Sequence, residues 1–439
     1  MPPRTLKISE TFTKLRGWAI APPKPYGEKT PSERAYRTSR DSESVTSQVV
    51  PLNYDVLLNI AEHLINPSDR LTLAKVSRWH YYSLRHTLYE YAVLSEDVRI
   101  ASLVEQLLAS ELLSSVVQHV DIIFPPAYTY QPYAMQGSEG YYARRKYFLE
   151  GVFIVLKLAT RLKTLFLHHY SHNSYAQMDL LGMYISDLYP FSLKSLSTQT
   201  IEGTRRLLER QPQLERLVLF PCPRYHHATR PIPPVPSIDL SRLHTLWATN
   251  WWSSIILPCS PVRTLGLLTA DVGAREPLFW RTVFQSLSKA GGHAFVTHLA
   301  VPYECFFWDH GPQVLDQDLF AEAFPRVTKI CIIPHGLSTE RIENTATDLG
   351  YAENLAKRYT TLPWSAVREL VFLRPGDDWP NPYDRPYTIK KAGKNCEKEL
   401  VTVLEGLFPH LMHIDLTWSC YKKTAESNEW NVRPRMCQH

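Results

Sequence analysis

The stretch LERLVLF, residues 214–220, combines two apolar spacings within seven residues. Leu217 and Leu219 alternate with period two, as the side chains on one face of a β-strand do. Leu214 lies three residues before Leu217, where we expect it to turn inward as the strand begins. One such strand cannot bury its apolar side alone, so the stretch predicts a unit that stacks against copies of itself.

The same L-x-x-L-x-L arrangement, with other apolar residues substituting for Leu, recurs along most of the chain. The middle apolar residues of the copies are Val120, Leu165, Leu196, Leu217, Leu246, Leu265, Leu299, Ile330, Leu370 and Ile414. Intervals of roughly 20 to 45 residues are typical of leucine-rich repeats, although the intervals here are irregular. Two copies are degenerate, because Thr198 and Ala248 replace the last large apolar residue. The pattern predicts short strands stacked side by side in a parallel sheet.

Segments with helical character separate the predicted strands. They are residues 142–160, 202–210, 276–289, 340–359 and 398–407. Proline precedes several copies, as at Pro212 and Pro325, where it helps to end the incoming helix. Strand, helical crossover and parallel strand is the expected order. We therefore predict an α/β fold, with an irregular leucine-rich-repeat-like solenoid over residues 95–420.

Three insertions interrupt the predicted solenoid. Residues 125–141 are rich in Tyr, residues 221–236 are rich in Pro, and residues 374–398 are charged and contain several prolines. Loops of this length are usually functional or disordered. The sequence leaves open which of the two applies here.

Residues 51–94, PLNYDVLLNIAEHLINPSDRLTLAKVSRWHYYSLRHTLYEYAVL, precede the repeats and predict two helices. Asn53 and Asp55 supply a cap and a first-turn acid for the first helix. Its apolar stripe is formed by Leu52, Val56, Leu57, Ile60 and Leu64. The second helix is predicted to start at Ser68 and to continue to Leu84 at helical spacing. Because so short a unit is marginal as an independent core, it packs on the following domain or binds another protein.

This stretch resembles an F-box, the short helical module that docks on the Skp adaptor of cullin-based ubiquitin ligases. The residues that match positions of the family pattern are Leu52, Asp55, Val56, Leu57, Ile60, Leu64, Asp69, Leu73, Val76, Arg78, Trp79 and Tyr89. Asn53 and Ser77 depart from the pattern, since the family has Pro and Cys there. The continuation from Tyr91, with a helix and an apolar strand at 116–123, looks like the F-box proteins abundant in filamentous and mushroom-forming fungi.

The resemblance implies a substrate-recognition subunit of an SCF-type ubiquitin ligase, with residues 49–94 as the F-box-like domain. The implied contacts of the Skp adaptor, and through it of a cullin, are Leu52, Asp55, Val56, Leu57, Ile60, Leu64, Leu73, Val76 and Trp79. The repeats would bind a target protein. The alternative is a leucine-rich-repeat interaction scaffold whose front helices only cap the solenoid. A cap would bury Leu52, Val56 and Trp79, whereas a docking module would leave them partly exposed.

In each repeat, the residues between and beyond the inward apolar ones point to the opposite face of the sheet. The candidates for target binding on or next to this face are Phe166, His168, Arg216, Phe220, Trp247, Trp251 and Trp252. Aromatic anchors in a groove tend to dominate binding energy. The alternative is that other parts of the chain cover these side chains as additional core.

The composition of the 439 residues limits the classes of function. The formal net charge is +5, and the basic residues form no run with interleaved aromatics, so we expect no nucleic-acid partner. The seven cysteines are scattered, which favours free thiols in the cytoplasm or nucleus. No apolar run approaches the roughly 20 residues of a membrane helix, so we expect no membrane partner. Residues 1–48 and 421–439 are interpreted as tails.

Motifs for nucleotide binding, zinc proteolysis and serine hydrolysis are absent from the sequence, so we predict neither an enzyme nor a cofactor. Two groups have ligand-type side chains, namely His168, His169 and His172, and Cys222, His226 and His227. Each group would need a fourth ligand in tetrahedral placement to bind zinc. We interpret them as loop histidines rather than a metal site.

Overall fold

The computed structural model describes residues 53–64, 67–94, 97–124, 139–169, 191–199, 204–221, 237–268, 277–290, 292–302, 322–333, 366–373, 398, 401–402, 404–406, 408–416, 419–424 and 429–434. The chain divides into two compact units, residues 1–122 with 130–162 and residues 123–129 with 163–439. The predicted amino-terminal tail, the helix predicted at 340–359 and almost all of the three insertions lie outside the described residues.

Three short helices open the first unit: α1 (Tyr54–His63), α2 (Pro67–Ala74) and α3 (Arg78–Tyr89). The predicted second helix is wrong as a single element, because it divides at residues 75–77 into α2 and α3. Ser77 caps α3, since its Oγ accepts a hydrogen bond from the backbone N–H of His80 at 3.2 Å. The apolar spacing continues across this break, which is why periodicity alone missed it.

The other described residues of the first unit form two strands and three helices. β1 (Tyr91–Leu94) pairs in parallel with β2 (His119–Phe124), and α4 (Asp97–Ala109) and α5 (Glu111–Val116) connect them. α6 (Glu139–Leu158) packs against α4, where a Cβ on Gly151 would lie 2.1 Å from Ile100 Cγ2. The strand predicted at 116–123 and the helix predicted at 142–160 are confirmed. β1 was not predicted.

The described part of the second unit contains nine parallel strands that follow the repeats. They are β3 (Thr164–His169), β4 (Ser195–Gln199), β5 (Arg216–Phe220), β6 (Thr245–Ala248), β7 (Thr264–Leu267), β8 (His298–Pro302), β9 (Lys329–Ile333), β10 (Glu369–Phe372) and β11 (His413–Asp415). Each pairs with the next in chain order. The middle residues are register partners, as Leu217 is of Leu196 and Leu246. The predicted stack of parallel strands is confirmed.

The apolar positions of the repeats form the core of this unit. Leu214, Leu217 and Leu219 are fully buried, and the equivalent residues of the other repeats from β3 to β11 are at most 6% exposed. The two degenerate copies follow the same rule, because Thr198 and Ala248 are also fully buried. The first apolar residue therefore does turn inward as each strand begins.

A repeated backbone hydrogen bond fixes the register at the entry of each strand. The residue after the first apolar position donates its N–H to the carbonyl oxygen of the equivalent residue one repeat earlier. The bond runs from Lys194 to Lys163 at 2.7 Å, and recurs at each junction as far as Met412 to Arg368 at 2.8 Å. These bonds place the strand-entry residues of nine repeats in one row.

Two buried polar side chains satisfy the backbone of a neighbouring turn. Gln211 Oε1 accepts a hydrogen bond from the N–H of Leu193 at 2.7 Å, and its Nε2 donates to the carbonyl of Phe191 at 3.2 Å. Ser260 Oγ accepts from the N–H of Leu240 at 3.3 Å. Because buried backbone groups need partners, these bonds explain the polar residues at core positions.

Helices connect several of the strands. They are α7 (Thr204–Glu209), α8 (Asn250–Ile256) and α9 (Pro277–Ala290), with 3-10 turns at Leu257–Cys259 and Gly292–Phe295. The helices predicted at 202–210 and 276–289 are confirmed, and the described residues between 398 and 406 are helical. α8 was not predicted.

The sheet of the second unit ends in two antiparallel strands. β12 (Ser419–Lys423) pairs with β11, and β13 (Trp430–Pro434) pairs with β12. The interpretation of residues 421–439 as a tail is therefore corrected, because residues 421–423 and 430–434 belong to the sheet. Few of these residues are apolar, so the repeat pattern did not extend to them.

Candidate functional site

Exposed apolar side chains are concentrated on α1, α2, α3 and the turn between α2 and α3. They are Tyr54, Val56, Ile60, Leu71, Val76, Trp79, Tyr81 and Tyr82. Val76 and Tyr82 are the most exposed, at 67% and 64%. Large apolar surface concentrated in this way marks interaction sites in soluble proteins. We name these eight side chains the front apolar face.

α1 has separate inward and outward apolar sides. Leu57 and Ala61 are fully buried and join Ala74 of α2 and Leu84 of α3 in a small core. Val56 and Ile60 directly precede Leu57 and Ala61, so they lie about 100° around the helix from the buried pair. They remain 49% and 39% exposed. The single stripe predicted for this helix therefore serves two purposes, internal packing and exposed surface.

The first turn of α3 carries Trp79, which is 43% exposed. The rings of Trp79 and His80 meet edge to face with centroids 5.2 Å apart. Ser77 Oγ lies 2.7 Å from His80 Nδ1, in addition to capping the helix. Ser77 therefore holds the turn from which Trp79 projects.

Polar contacts tie the three front helices together. Arg70 Nε donates to the carbonyl of Leu64 at 2.7 Å, just past the end of α1. The Arg70 guanidinium also lies 3.6 Å from the Glu90 carboxylate at the end of α3. Asn53 caps α1 as predicted, since its Oδ1 accepts from the N–H of Asp55 at 3.3 Å. The front apolar face is therefore presented by elements held in a defined arrangement.

The residues predicted to bind the adaptor divide by exposure. Those that are exposed are Asp55, Val56, Ile60, Val76 and Trp79. Leu57 is fully buried, Leu64 and Leu73 are partly buried, and Leu52 lies outside the described residues. Leu57 therefore supports the surface from below instead of forming part of it.

Two tyrosines near the end of α3 are held neutral. Burial, reinforced by neighbouring Tyr81, raises the pKa of Tyr89 to about 12. Burial and a hydrogen bond from its hydroxyl to the Asp121 carboxylate also raise the pKa of Tyr91. Neither hydroxyl provides a base at neutral pH, so these residues contribute packing and hydrogen bonding.

The sheet face opposite the repeat core is itself largely apolar and buried. Its cluster consists of Val218, Phe220, Trp247, Leu268, Ala300 and Ile333, with Cys331 and Leu373 packed against it. Phe220 is 8% exposed and Trp247 is 6% exposed. The prediction that these two aromatics are exposed target anchors is therefore corrected in favour of the alternative, additional core.

The other predicted target-binding residues lie in different environments. Trp252 is buried in α8, where its ring meets that of partly buried Trp251 edge to face at 4.7 Å. Phe166 and Arg216 are partly buried on β3 and β5. His168 belongs to β3, but its side chain lies outside the described residues. Burial removes Trp252 from the set of exposed anchors.

Three side chains with metal-ligating atoms meet on β11 and β12. The donor atoms of His413, Asp415 and Cys420 lie within 4.8 Å of one another. His413 Nε2 is 2.9 Å from Asp415 Oδ1 and 3.3 Å from Cys420 Sγ. The 2.9 Å between His413 and Asp415 is a hydrogen-bond distance. The group has three possible ligands, whereas structural zinc sites in proteins have four. The two groups of possible ligands named from the sequence lie elsewhere, and their side chains are outside the described residues: His168, His169 and His172, and Cys222, His226 and His227.

Comparison with known proteins adds no family. No family model matches the chain, and no curated protein matches it. Among the described residues, no helix has the length and apolar character needed to cross a bilayer.

Proposed function

We propose that the chain is the substrate-recognition subunit of an SCF-type ubiquitin ligase. The front helices would dock on a Skp-family adaptor, and through it on a cullin, while the repeat unit holds a target protein. The observation that carries the proposal is the exposure of Val56 and Trp79 within a stretch that resembles an F-box. A cytoplasmic or nuclear location is part of the proposal, and the described cysteines Cys259, Cys331 and Cys420 form no disulfide.

Exposure of the front apolar face favours docking over capping. A helical cap is expected to bury its apolar stripe within its own chain, but Val56, Ile60 and Trp79 each keep more than a third of their surface exposed. Exposed apolar area is unfavourable in water at roughly 25 cal/mol per Å². Burial of these side chains under a partner therefore contributes favourably to the free energy of binding.

The departures from the family pattern are compatible with docking. Asn53 replaces the expected proline and still caps α1 through its side chain. Ser77 replaces the expected cysteine and caps α3. Neither substitution removes an apolar side chain from the front apolar face.

The proposed mechanism requires no catalytic side chain in this chain. A target held by the repeats lies at high effective concentration relative to the ubiquitin-charged enzyme of the assembled ligase. Transfer of ubiquitin to a target lysine then becomes effectively intramolecular. This chain contributes binding and orientation only.

Co-expression with a Skp-family adaptor, followed by purification through a tag on the adaptor, tests the proposal. The wild-type chain should co-purify, and the double variant Val56→Asp with Ile60→Asp should not, because two carboxylates would be buried at the interface. The matched control is Ser102→Asp with Gln106→Asp, which adds the same charges at the same spacing on exposed positions of α4. Absence of a complex with the wild-type chain, or a complex that survives Val56→Asp with Ile60→Asp, contradicts the proposal.

A further inference from the structure

Charged residues that are dispersed in the sequence meet along one edge of the second unit. The relevant positions are the two residues between the first and the middle apolar residue of each repeat. We name the following pairs the basic edge: Lys163 and Thr164, Lys194 and Ser195, Glu215 and Arg216, His244 and Thr245, Arg263 and Thr264, Thr297 and His298, Thr328 and Lys329, Arg368 and Glu369, and Met412 and His413. The backbone bonds at the strand entries place these pairs in register on β3 to β11.

The basic edge carries a concentrated positive charge. It contains six Lys or Arg side chains and two Glu side chains, and exposed Arg242 and Arg326 lie just before two of the repeats. The excess of cations over carboxylates is therefore four within the basic edge and six when Arg242 and Arg326 are included, whereas the whole chain has a formal charge of only +5. Charge of one sign focused along a surface attracts an oppositely charged partner.

Only part of this charge is neutralised internally. Lys194 Nζ pairs with Glu215 at 2.9 Å, and Lys329 Nζ pairs with Glu369 at 3.2 Å. The exposed cations without a side-chain ion pair among the described residues are Lys163, Arg242, Arg263, Arg326 and Arg368. Lys194 also lowers the pKa of Glu215 through their hydrogen bond, so this carboxylate stays ionised. The basic edge therefore presents a row of cations that is interrupted at two places by ion pairs, Lys194 with Glu215 and Lys329 with Glu369.

We propose that the basic edge binds an acidic, extended segment of the target protein. Nine strands at about 4.8 Å spacing give a row of roughly 38 Å, which matches about twelve residues of extended chain. This inference rests on the proposed role of the repeats in holding a target. It also moves the recognition surface away from Phe220 and Trp247, which are buried, to residues that are exposed.

An acidic peptide fits the edge better than a nucleic acid does. A phosphodiester backbone carries a charge at each nucleotide, so it would meet Glu215 and Glu369 with like charge. A peptide can place neutral residues opposite these two carboxylates. Single-stranded nucleic acids also use several aromatic platforms for stacking successive bases. The pairs of the basic edge contain no Phe, Tyr or Trp, and exposed Phe295, which precedes a repeat as Arg242 and Arg326 do, is a single ring.

The test measures binding of a fluorescein-labelled peptide of alternating Glu and Ser, about twelve residues long, to the full chain by fluorescence anisotropy. The edge variant is Arg263→Glu with Arg326→Glu and Arg368→Glu. The matched control is Arg206→Glu with Lys289→Glu and Lys398→Glu, which makes the same change in charge at exposed positions of helical segments. Thermal melting of both variants verifies the fold, and single Arg263→Gln and Arg368→Gln variants provide milder changes.

We expect the peptide to bind in a salt-sensitive manner, and the edge variant to weaken binding about tenfold or more while the control stays within about twofold. The single variants should each weaken binding several-fold, and a peptide with Gln in place of Glu should not bind. Equal loss in the edge and control variants, no binding of the peptide at low salt, or tighter binding of an oligothymidine of the same length would overturn the proposal.

The same variants separate this inference from the ligase role. The edge variant should still co-purify with the Skp-family adaptor, because its changes lie outside the front apolar face. Loss of peptide binding in the edge variant together with failure of the wild-type chain to bind the adaptor would retain the acidic-segment site and reject the ligase. An adaptor complex with no peptide binding would retain the ligase and reject the basic edge as described.

Discussion

At the residue scale, Gly266 shows how the buried sheet face is packed. A Cβ on Gly266 would lie 2.1 Å from Cε3 and 2.3 Å from Cδ2 of Trp247, which is its register partner on β6. The indole of Trp247 therefore covers the position where another residue would have a side chain. The sequence L-G-L at 265–267 does not reveal this contact, because the pairing of β6 with β7 is needed to bring the two residues together.

Gly266→Ala should lower the free energy of unfolding by about 1–3 kcal/mol, because Trp247 must move within a packed cluster. Denaturant unfolding measures the change. Gly406→Ala is the control, since a Cβ there meets nothing within 4 Å. In a Trp247→Leu background, Gly266→Ala should cost less than it does in the wild type, because the smaller side chain leaves room for the added methyl group. Equal stability of the two alanine variants would show that the indole does not occupy this position.

Ser77→Ala should destabilise the front helices by about 1 kcal/mol, because the capping acceptor for the N–H of His80 is removed. Ser77→Asp should retain most of the stability, since aspartate also caps helices. Both are measured by unfolding, and both should leave Val56 and Ile60 exposed. A Ser77→Ala variant as stable as the wild type would rule out a capping role for this residue.

Single residues also show where sequence reasoning stopped short. The charges at the two intervening positions of L-x-x-L look dispersed in the sequence, although these positions repeat with the apolar ones. Lys163 and Lys194 are 31 residues apart in the sequence and become neighbours through a backbone bond at 2.7 Å. Conversely, alternation predicts that Trp247 is exposed, because alternation identifies the face of a strand but not what covers it.

At the scale of elements, the repeat strands could be predicted and the front helices only in part. The inward residues of β5 have one spacing that recurs in its neighbours, and this recurrence made each strand predictable although β5 is buried on both faces. The break between α2 and α3 depends on one hydroxyl at Ser77, which leaves the apolar period unchanged. β12 and β13 were missed because antiparallel pairing to β11 does not need the repeat pattern.

The terminal strands are anchored by a charged contact. The buried ammonium of Lys423 pairs with the Glu405 carboxylate, which also accepts a hydrogen bond from Trp430 Nε1 at 3.1 Å. Lys423 Nζ lies 5.1 Å from the ring centroid of Trp430. The hydrogen bond from Lys423 lowers the pKa of Glu405 below its ordinary value of 4.5. The ionised carboxylate is therefore favoured by the folded state.

Glu405→Gln should lower the free energy of unfolding by about 1–2 kcal/mol at pH 7, a value reduced because Glu405 is partly exposed. A carboxyl group with a depressed folded pKa stabilises above its unfolded pKa and loses this effect as pH falls through the folded pKa. The difference between wild type and variant should therefore shrink below pH 4.5. A difference that stays constant from pH 7 to acid would contradict this contribution.

At the scale of the whole molecule, the two compact units supply different kinds of surface. The first unit exposes apolar side chains on α1, α2 and α3, and the second exposes a row of cations at the strand entries of β3 to β11. An apolar surface favours a stable subunit contact, whereas a charged edge favours fast, salt-sensitive binding. This division matches the proposed roles of a permanent adaptor and an exchanging target.

Hydrogen–deuterium exchange of the full chain, with and without a Skp-family adaptor, shows whether the adaptor docks on the front helices. The adaptor should slow exchange in residues 53–89 and leave the strands from β3 to β11 unchanged. Slower exchange in those strands with no change in residues 53–89, or no change anywhere at saturating adaptor, would contradict this docking.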